Sequence, residues 1–414
     1  MIPLLDVYKE RWQVESERAI KPGLDAIESA LRLLGQPEKQ LNVVHLAGTN
    51  GKGSTLAFIE GMAREYGLSV GKFMSPCIVD VHDQIQINGR SITNEQMDRM
   101  FQQLAKAGLS GRLTDFELLT AVALLYFAEQ KPDLVLIEAG MGGREDSTNV
   151  VTPIVSVVPS IALEHTNFLG NTLTSIAYHK AGILKENRPA VIGQMTDEVT
   201  EVFEKEAAQK NVPLFKFGTD FFISKNEEEA YIYPLLQLNI TDLHRQLLGQ
   251  HQGLNMALAI TAFLEVLKKF ELPIDDQKIR TGVNNAKLAG RFEQIRPNLY
   301  FDGAHNPASI QSLIDTVKEH FPGKRIEFVI GLLADKDVKT ILQLLEEVGD
   351  AFYFANIHNE RAMQAMTLYD HSQAMEKHIV DDVNEFLQGP VLGETVRIVT
   401  GSLYLLSEIR RNMQ

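Results

Sequence analysis

The run LNVVHLAGTNGKGSTLAFIEGMAREYG, residues 41–67, restricts the fold more than any other stretch of the chain. Its first seven residues are mostly apolar, as in a strand covered on both faces, which calls for a sheet with helices on either side. Glycines 48, 51 and 53 interrupt the run; Leu56, Ile59, Met62, Ala63 and Tyr66 then recur at helical spacing, and Gly67 is placed to cap the helix. A strand-to-helix turn of this kind aims backbone N–H groups and a helix N-terminus at an anion. Lys52 adds a positive charge, and Ser54 or Thr55 adds a hydroxyl for a magnesium ion. The spelling is nevertheless unusual. The common phosphate loop is G-x-x-x-x-G-K-[ST], whereas Gly48 stands only three residues before Gly51, and Gly53 separates Lys52 from Ser54. The alternative is a plain glycine turn with a solvated lysine; the strand-loop-helix setting favours the phosphate loop.

The rest of the chain repeats the alternation. Apolar runs at 133–140, 154–158 and 189–194 alternate with amphipathic stretches, the pattern of a parallel sheet flanked by helices. The segment 213–247 reads instead as an antiparallel excursion, and 249–287 returns to helix. After AKLAGRFEQ the alternation restarts, with strands expected at 298–305, 326–333, 350–356 and 396–402. The expected fold is therefore α/β: a P-loop ATPase-type domain over 1–287 with a mostly parallel sheet, then a smaller Rossmann-like α/β domain over 288–414.

Composition narrows the function. A formal net charge of -14 excludes non-specific nucleic-acid binding, which needs a basic surface. The single cysteine, Cys77, excludes an internal disulfide framework and fits a reducing compartment. The first ten residues carry charges and lead into no long apolar run, so neither a signal peptide nor a membrane span is expected. The expectation is a cytoplasmic enzyme acting on small molecules.

A phosphate loop expects a carboxylate at the end of a neighbouring strand. Glu138 in DLVLIEAGMGG is placed for that role, followed by glycines that permit close approach. The segment SIALEHTNFLGNTLTSIAYHKAGILK adds His165 and Lys180. His165 alone is no stronger a candidate than His179 or His251. Lys180 is more unusual: Ile176, Ala177, Ala181 and Ile183 surround it, and a buried lysine must lose its charge, find a partner or be modified.

Taken together, HLAGTNGKGST, SPCIVDVHDQIQING, IEAGMGGREDSTNVV, LEHTNFLGNTLTSIAYHKAGILK, GQHQGLNMALAI, AGRFEQI, FDGAHNP, GLLADKD and VTGSLYLLSEIR resemble, in order, the blocks of the folylpolyglutamate synthase and dihydrofolate synthase family, within the muramyl ligase superfamily. The family spelling of the phosphate loop is GTNGKG[ST]. The resemblance implies an ATP-dependent ligase that adds L-glutamate to a reduced folate through an acyl phosphate, and in bifunctional members also to dihydropteroate. It implies that Asn50, Gly51, Lys52, Gly53 and Ser54 cradle the triphosphate of ATP, that Asn255, Arg291 and Asp302 also contact the nucleotide, and that His305 joins Lys52 and Lys180 as a catalytic residue. Ser75, Glu138 and His165 resemble ligands of two Mg2+ sites, and Lys180 stands where the family carries a carbamylated lysine. Thr114, Phe116, Asp146 and Ser147 resemble the residues that hold the pteridine end. Bifunctional members often carry alanine where Ser147 stands, which favours polyglutamylation. The family expectation is a monomer.

The match departs at three places. Ala26 and Gln84 stand where arginines are usual and Cys77 where a histidine is, all near the organic substrate rather than the nucleotide. Two other readings compete: a ligase of the same superfamily with another carboxylate acceptor, such as a cell-wall precursor, and a catalytically weakened nucleotide-binding paralogue. The loop GTNGKGS, in place of GTNGKT, speaks against the first, and intact Lys52, Glu138 and Lys180 against the second.

Overall fold

The computed structural model describes all residues except Met1, Ile20, Ile78, 226–228, Leu392 and Gln414. The chain divides into two compact units: Met1–Gln246 with Gly253–Lys287, and Leu247–Gln252 with Leu288–Gln414. The first contains an eight-stranded sheet of β1 (Val43–Leu46), β2 (Val70–Phe73), β3 (Ile85–Ile87), β4 (Arg90–Ser91), β5 (Leu134–Glu138), β6 (Val155–Val158), β7 (Ala190–Ile192) and β8 (Leu214–Lys216). Their order is β4-β3-β2-β5-β1-β6-β7-β8, and the six strands from β2 to β8 in that order run parallel. The β3–β4 hairpin closes one edge in antiparallel pairing. Every residue of β1, β5 and β6 is buried, as their near-continuous apolar composition requires.

Two parallel strands are not apparent as apolar runs. In β2, Gly71 and Lys72 break the pattern; a Cβ at Gly71 would lie 2.9 Å from the Phe127 ring, and Lys72 is paired with Glu60 at 2.6 Å. Residues 214–216, expected in the antiparallel excursion, instead extend the parallel sheet as β8. The excursion itself is a three-stranded antiparallel sheet of β9 (Phe222–Lys225), β10 (Glu229–Tyr233) and β11 (Leu238–Leu243).

The helix after β1 spans Lys52–Glu65 and is buried around more of its circumference than an amphipathic surface helix: Ser54, Thr55, Ala57 and Phe58 are buried along with Leu56, Ile59, Met62 and Ala63. The helix Asp276–Asn285 covers its outer side. The two backbones touch at a glycine pair, since a Cβ on Gly61 would stand 2.3 Å from the Gly282 carbonyl oxygen, and one on Gly282 would stand 2.5 Å from Met62 Cα. Gly282→Ala is expected to destabilise the first unit by ~1–3 kcal/mol through this backbone clash. A drop of several degrees in melting temperature checks it, and an unchanged melting temperature refutes it.

The second unit is built on β12 (Glu293–Arg296), β13 (Leu299–Phe301), β14 (Arg325–Ile330), β15 (Ala351–Ala355), β16 (Lys377–Val380) and β17 (Thr395–Thr400), in the order β12-β13-β17-β14-β15-β16. All pairings are parallel except that of β12 with β13. Ile310, Leu313, Phe328, Phe352, Phe354 and Ile398 lie in its core, and Leu248 packs against that core, which ties 247–252 to this unit. Among the described residues no helix is long and apolar enough to cross a membrane.

Candidate active site

Strand order places the candidate residues of the first unit at one edge of its sheet. β1 lies between β5 and β6, with Leu46 paired to Glu138 and to Val157, so the phosphate loop leaves the sheet beside Glu138 and beside the segment that follows β6. β2 flanks β5 on its other side, and Ser75 lies just past its end, at a cis peptide bond with Pro76. Ligand sites of open parallel sheets form at this C-terminal edge.

The loop is braced from below. Thr49 donates its N–H to the Ser160 carbonyl at 2.9 Å, and Asn50 N–H donates to Ser160 Oγ at 3.0 Å. Gly48 and Gly51 have φ of 150° and 89°, and Pro159 stands 3.0 Å from where a Cβ would fall on either. At Gly51 such a Cβ would also lie 2.3 Å from Asn255 Oδ1, so glycine is required and the buried Asn255 sits directly against the loop. The helix Gln250–Lys269 thus delivers Asn255 to the candidate nucleotide site from a distant part of the sequence.

The cations converge. Lys52 Nζ donates to the carbonyls of Gly48 at 2.8 Å and Thr49 at 3.3 Å and lies 3.6 Å from Glu138 Oε1. Lys180, in the helix Leu173–Ala181 and only 2% exposed, donates from Nζ to the same Gly48 oxygen at 2.9 Å. Burial and the neighbouring Lys52 lower its pKa to about 7, against the pull of Glu164, Asp146 and Glu138. Glu164 is a member of this cluster that sequence reading passed over. Its Oε1 lies 3.6 Å from His165 Nε2, and a carboxylate directly preceding a candidate ligand histidine was the available signal. His165 itself adopts φ 51° ahead of the helix Thr166–Leu169.

The hydroxyl and carboxylate donors suit a hard cation such as Mg2+. Among the described residues no three His, Cys, Asp or Glu side chains form a ready-made metal group. Mg2+ does not demand one, because it keeps several waters and binds through one or two carboxylates plus substrate phosphates. The buried Glu138 beside Lys52, at the lip of the phosphate loop, fits that mode of binding.

The expected pteridine residues form a second connected group. Thr114 caps the helix Asp115–Gln130 in a capping box: its Oγ1 accepts from Glu117 N–H at 3.3 Å and donates to Glu117 Oε2 at 2.8 Å. Phe116 stacks on Phe73 at 5.9 Å and approaches Gly140, where a Cβ would lie 2.5 Å from its ring. Ser147 Oγ is 2.8 Å from Thr120 Oγ1, which donates to the Phe116 carbonyl at 2.8 Å. Asp146 is buried and accepts from Met141 N–H at 2.8 Å, Thr148 N–H at 3.0 Å and Thr148 Oγ1 at 2.6 Å. Burial pushes its pKa up, while these donors and Gly140 N–H hold it back.

The three departures fall into different surroundings. Ala26 lines a cavity of about 220 Å³ together with Lys21, Asp25, Arg112, Thr114 and Glu117. Cys77 and Gln84 are both buried, the latter at 3% exposure with Oε1 lacking a hydrogen-bond partner. Buried and uncharged, Gln84 cannot supply the positive charge of an arginine.

In the second unit, Arg291, Asp302 and His305 gather where β13 ends. Asp302 accepts from the N–H groups of Phe292 at 2.8 Å and Ala304 at 2.9 Å; burial raises its pKa and Arg291 opposes the rise. A Cβ on Gly303 would lie 2.5 Å from Arg291 Nη1, so that guanidinium packs along the turn. His305 Nδ1 donates to the Gly303 carbonyl at 2.8 Å, which fixes the ring with Nε2 pointing away from that bond.

Residues 46–263 match the Mur ligase middle domain, and residues 290–399 match the Mur ligase glutamate ligase domain. The fold and the two domain matches are those of an ATP-dependent ligase of the Mur type. The chain is 38% identical over 412 residues to a dihydrofolate synthase/folylpolyglutamate synthase of Bacillus subtilis, covering 95% of this chain and 96% of that protein. A folylpolyglutamate synthase of Lacticaseibacillus casei is 32% identical, over 94% of this chain and 93% of its own length. Among solved structures, Escherichia coli FolC in complex with DHPP and ADP superposes with a TM-score of 0.90 at 29% identity, covering 99% of this chain and 97% of that one. The chain belongs to the folylpolyglutamate synthase/dihydrofolate synthase family.

Proposed function

We propose that the chain couples ATP cleavage to the addition of L-glutamate to the carboxylate of a reduced folate, through an acyl phosphate. The observation that carries this reading is the pairing of Lys52 and Lys180 on one carbonyl oxygen, that of Gly48, with Glu138 3.6 Å from Lys52, at the C-terminal edge of a parallel sheet. A carboxylate acylates an amine poorly until its oxygen carries phosphate. The acceptor oxygen therefore attacks the γ-phosphorus, ADP leaves, and the acyl phosphate is then attacked at carbon by the neutral amino group of glutamate, expelling phosphate.

Each residue has a part in overcoming the repulsion between the two anions. Backbone N–H groups of Gly51–Ser54 and the Lys52 ammonium receive the β- and γ-phosphate oxygens, replacing the carbonyl contacts that Lys52 makes within the loop. Asn255, pressed against Gly51, holds the nucleotide side of the loop. Ser75, Glu138 and His165, with a carbamate on Lys180, would hold Mg2+ at two sites, where the metal would neutralise phosphate charge. A lysine whose ammonium is destabilised by burial and by Lys52 is suited to carry a carbamate, because its neutral amine is the form that adds carbon dioxide. Arg291 and Asp302 would contact ATP, with His305 beside them. Thr114, Phe116, Asp146 and Ser147 would hold the pteridine end. The chain would act as a monomer in the cytoplasm.

The test is ADP release with L-glutamate and a panel of tetrahydrofolate, its monoglutamylated derivatives, dihydropteroate and a muramyl-type carboxylate. Release that needs both glutamate and a tetrahydrofolate is the expected result. Release with dihydropteroate as well makes the enzyme bifunctional, and release only with the muramyl-type acceptor, or with none, refutes the folate assignment.

A further inference from the structure

His45 occupies the middle of β1, fully buried, between Ile137 of β5 and Ser156 of β6. Its strand neighbours Val43, Val44 and Leu46 are the residues such a position normally takes. An imidazole there is a destabilising choice, because Nδ1 is buried without a hydrogen-bond partner. The other nitrogen is engaged: Nε2 lies 2.9 Å from Thr148 Oγ1.

The protons can be counted along this chain of contacts. A hydroxyl has one proton to give, and an ionised carboxylate only accepts. Thr148 gives its proton to Asp146 Oδ1 at 2.6 Å, so the hydroxyl oxygen must receive a proton from His45, which is therefore the Nε2–H tautomer. Burial, with Lys185 nearby, lowers the imidazole pKa to about 3, so the ring is neutral across the working range. Asp146 Oδ2 then ties down Met141 N–H in the glycine loop after Glu138. The adjoining Ser147 passes the same constraint to Thr120 and the Phe116 backbone.

We propose that His45 is a positioning residue for the acceptor side of the site: its Nε2–H orients the Thr148 hydroxyl, which fixes the Asp146 carboxylate and, through it, the turn that receives the folate. This rests on the assignment of Asp146 to the acceptor site. The fully buried imidazole acts wholly through Thr148.

The test compares His45→Leu, His45→Gln, Thr148→Val, Thr148→Ser and Asp146→Asn by KM for tetrahydrofolate, KM for ATP, kcat and melting temperature. His45→Leu and Thr148→Val should each raise KM for tetrahydrofolate about tenfold or more while KM for ATP stays within about twofold, as expected when the Asp146 carboxylate loses the hydroxyl that donates to it or the imidazole that orients that hydroxyl. Thr148→Ser restores the hydroxyl, and His45→Gln places an amide N–H near the Nε2 position, so each should recover most of the loss. If Asp146→Asn raises the acceptor KM but Thr148→Val and His45→Leu do not, the relay is wrong and the acceptor assignment stands. An unchanged acceptor KM in Asp146→Asn removes both. A lower melting temperature with the two KM values moving together, or no recovery by serine and glutamine, marks a packing role and overturns the proposal. If His45→Leu fails to fold, His45→Asn, whose shorter amide cannot reach Thr148 Oγ1, replaces it: a raised KM for tetrahydrofolate supports the relay and an unchanged one overturns it.

Discussion

Lys52→Ala should reduce glutamate- and folate-dependent ADP release by about a thousandfold or more, the scale expected when a preorganised charge is removed from a phosphoryl-transfer site. The side chain is already held where phosphate must come, with Nζ on the Gly48 and Thr49 carbonyls. Binding phosphate there exchanges neutral acceptors for charged ones without moving the backbone, so the gain is concentrated on the anion that becomes most charged in the transition state. Fold should survive, because Lys52 spans the open face of the loop and its bracing by Ser160, Pro159 and Asn255 does not involve the ammonium. Removing Lys52 leaves the buried Glu138 without its cation at 3.6 Å, which is expected to lower the melting temperature. The measurement is steady-state ADP release beside a melting curve. Activity within tenfold of the parent in a folded variant would remove Lys52 from the mechanism.

Lys180→Ala should be comparably damaging, with a distinct chemical signature. If the residue acts as a carbamate, losing it removes an anionic oxygen ligand, and turnover falls by roughly a hundredfold to a thousandfold. A small carboxylate such as acetate or formate supplied in the buffer can enter the space left by the side chain and restore part of the activity. Lys180→Arg keeps a cation but cannot form a carbamate, so it should be as inactive as alanine and should not be rescued. The melting temperature should fall in Lys180→Ala, since truncating a fully buried side chain leaves a cavity and removes a donor from the Gly48 carbonyl. Near-parental turnover by Lys180→Arg would show that the charge, and not a carbamate, is what the site uses.

Much of this arrangement was legible because its chemistry is local. A strand buried on both faces, three glycines, a lysine and a hydroxyl within a dozen residues specify a phosphate loop, since backbone φ values of 150° at Gly48 and 89° at Gly51 suit only glycine. Glu138 could be found for a similar reason: a carboxylate ending an apolar strand has one edge of a parallel sheet to occupy. Lys180 was conspicuous through its apolar helical neighbours. Less local features were hidden. β2 carries a glycine and a lysine in the middle of its run, and only the Phe127 ring and the Glu60 partner explain why both are tolerated there. Glu164 was overlooked beside His165, because its proximity to Lys180 depends on how two separate helices meet the sheet edge.

By itself, then, the sequence determined the α/β class, the phosphate loop and the candidate charged groups, because strand burial, glycine geometry and helical spacing act over a few residues at a time. Only the tertiary structure decided which groups share a neighbour: that Lys52 and Lys180 meet on the Gly48 oxygen, that Asn255 presses on Gly51 from about two hundred residues away, and that His45 reaches Asp146 through Thr148. Those contacts follow from strand order, which brings β5 and β6 to either side of β1. Strand order is set by the packing of the whole sheet, and no short stretch of the chain encodes it.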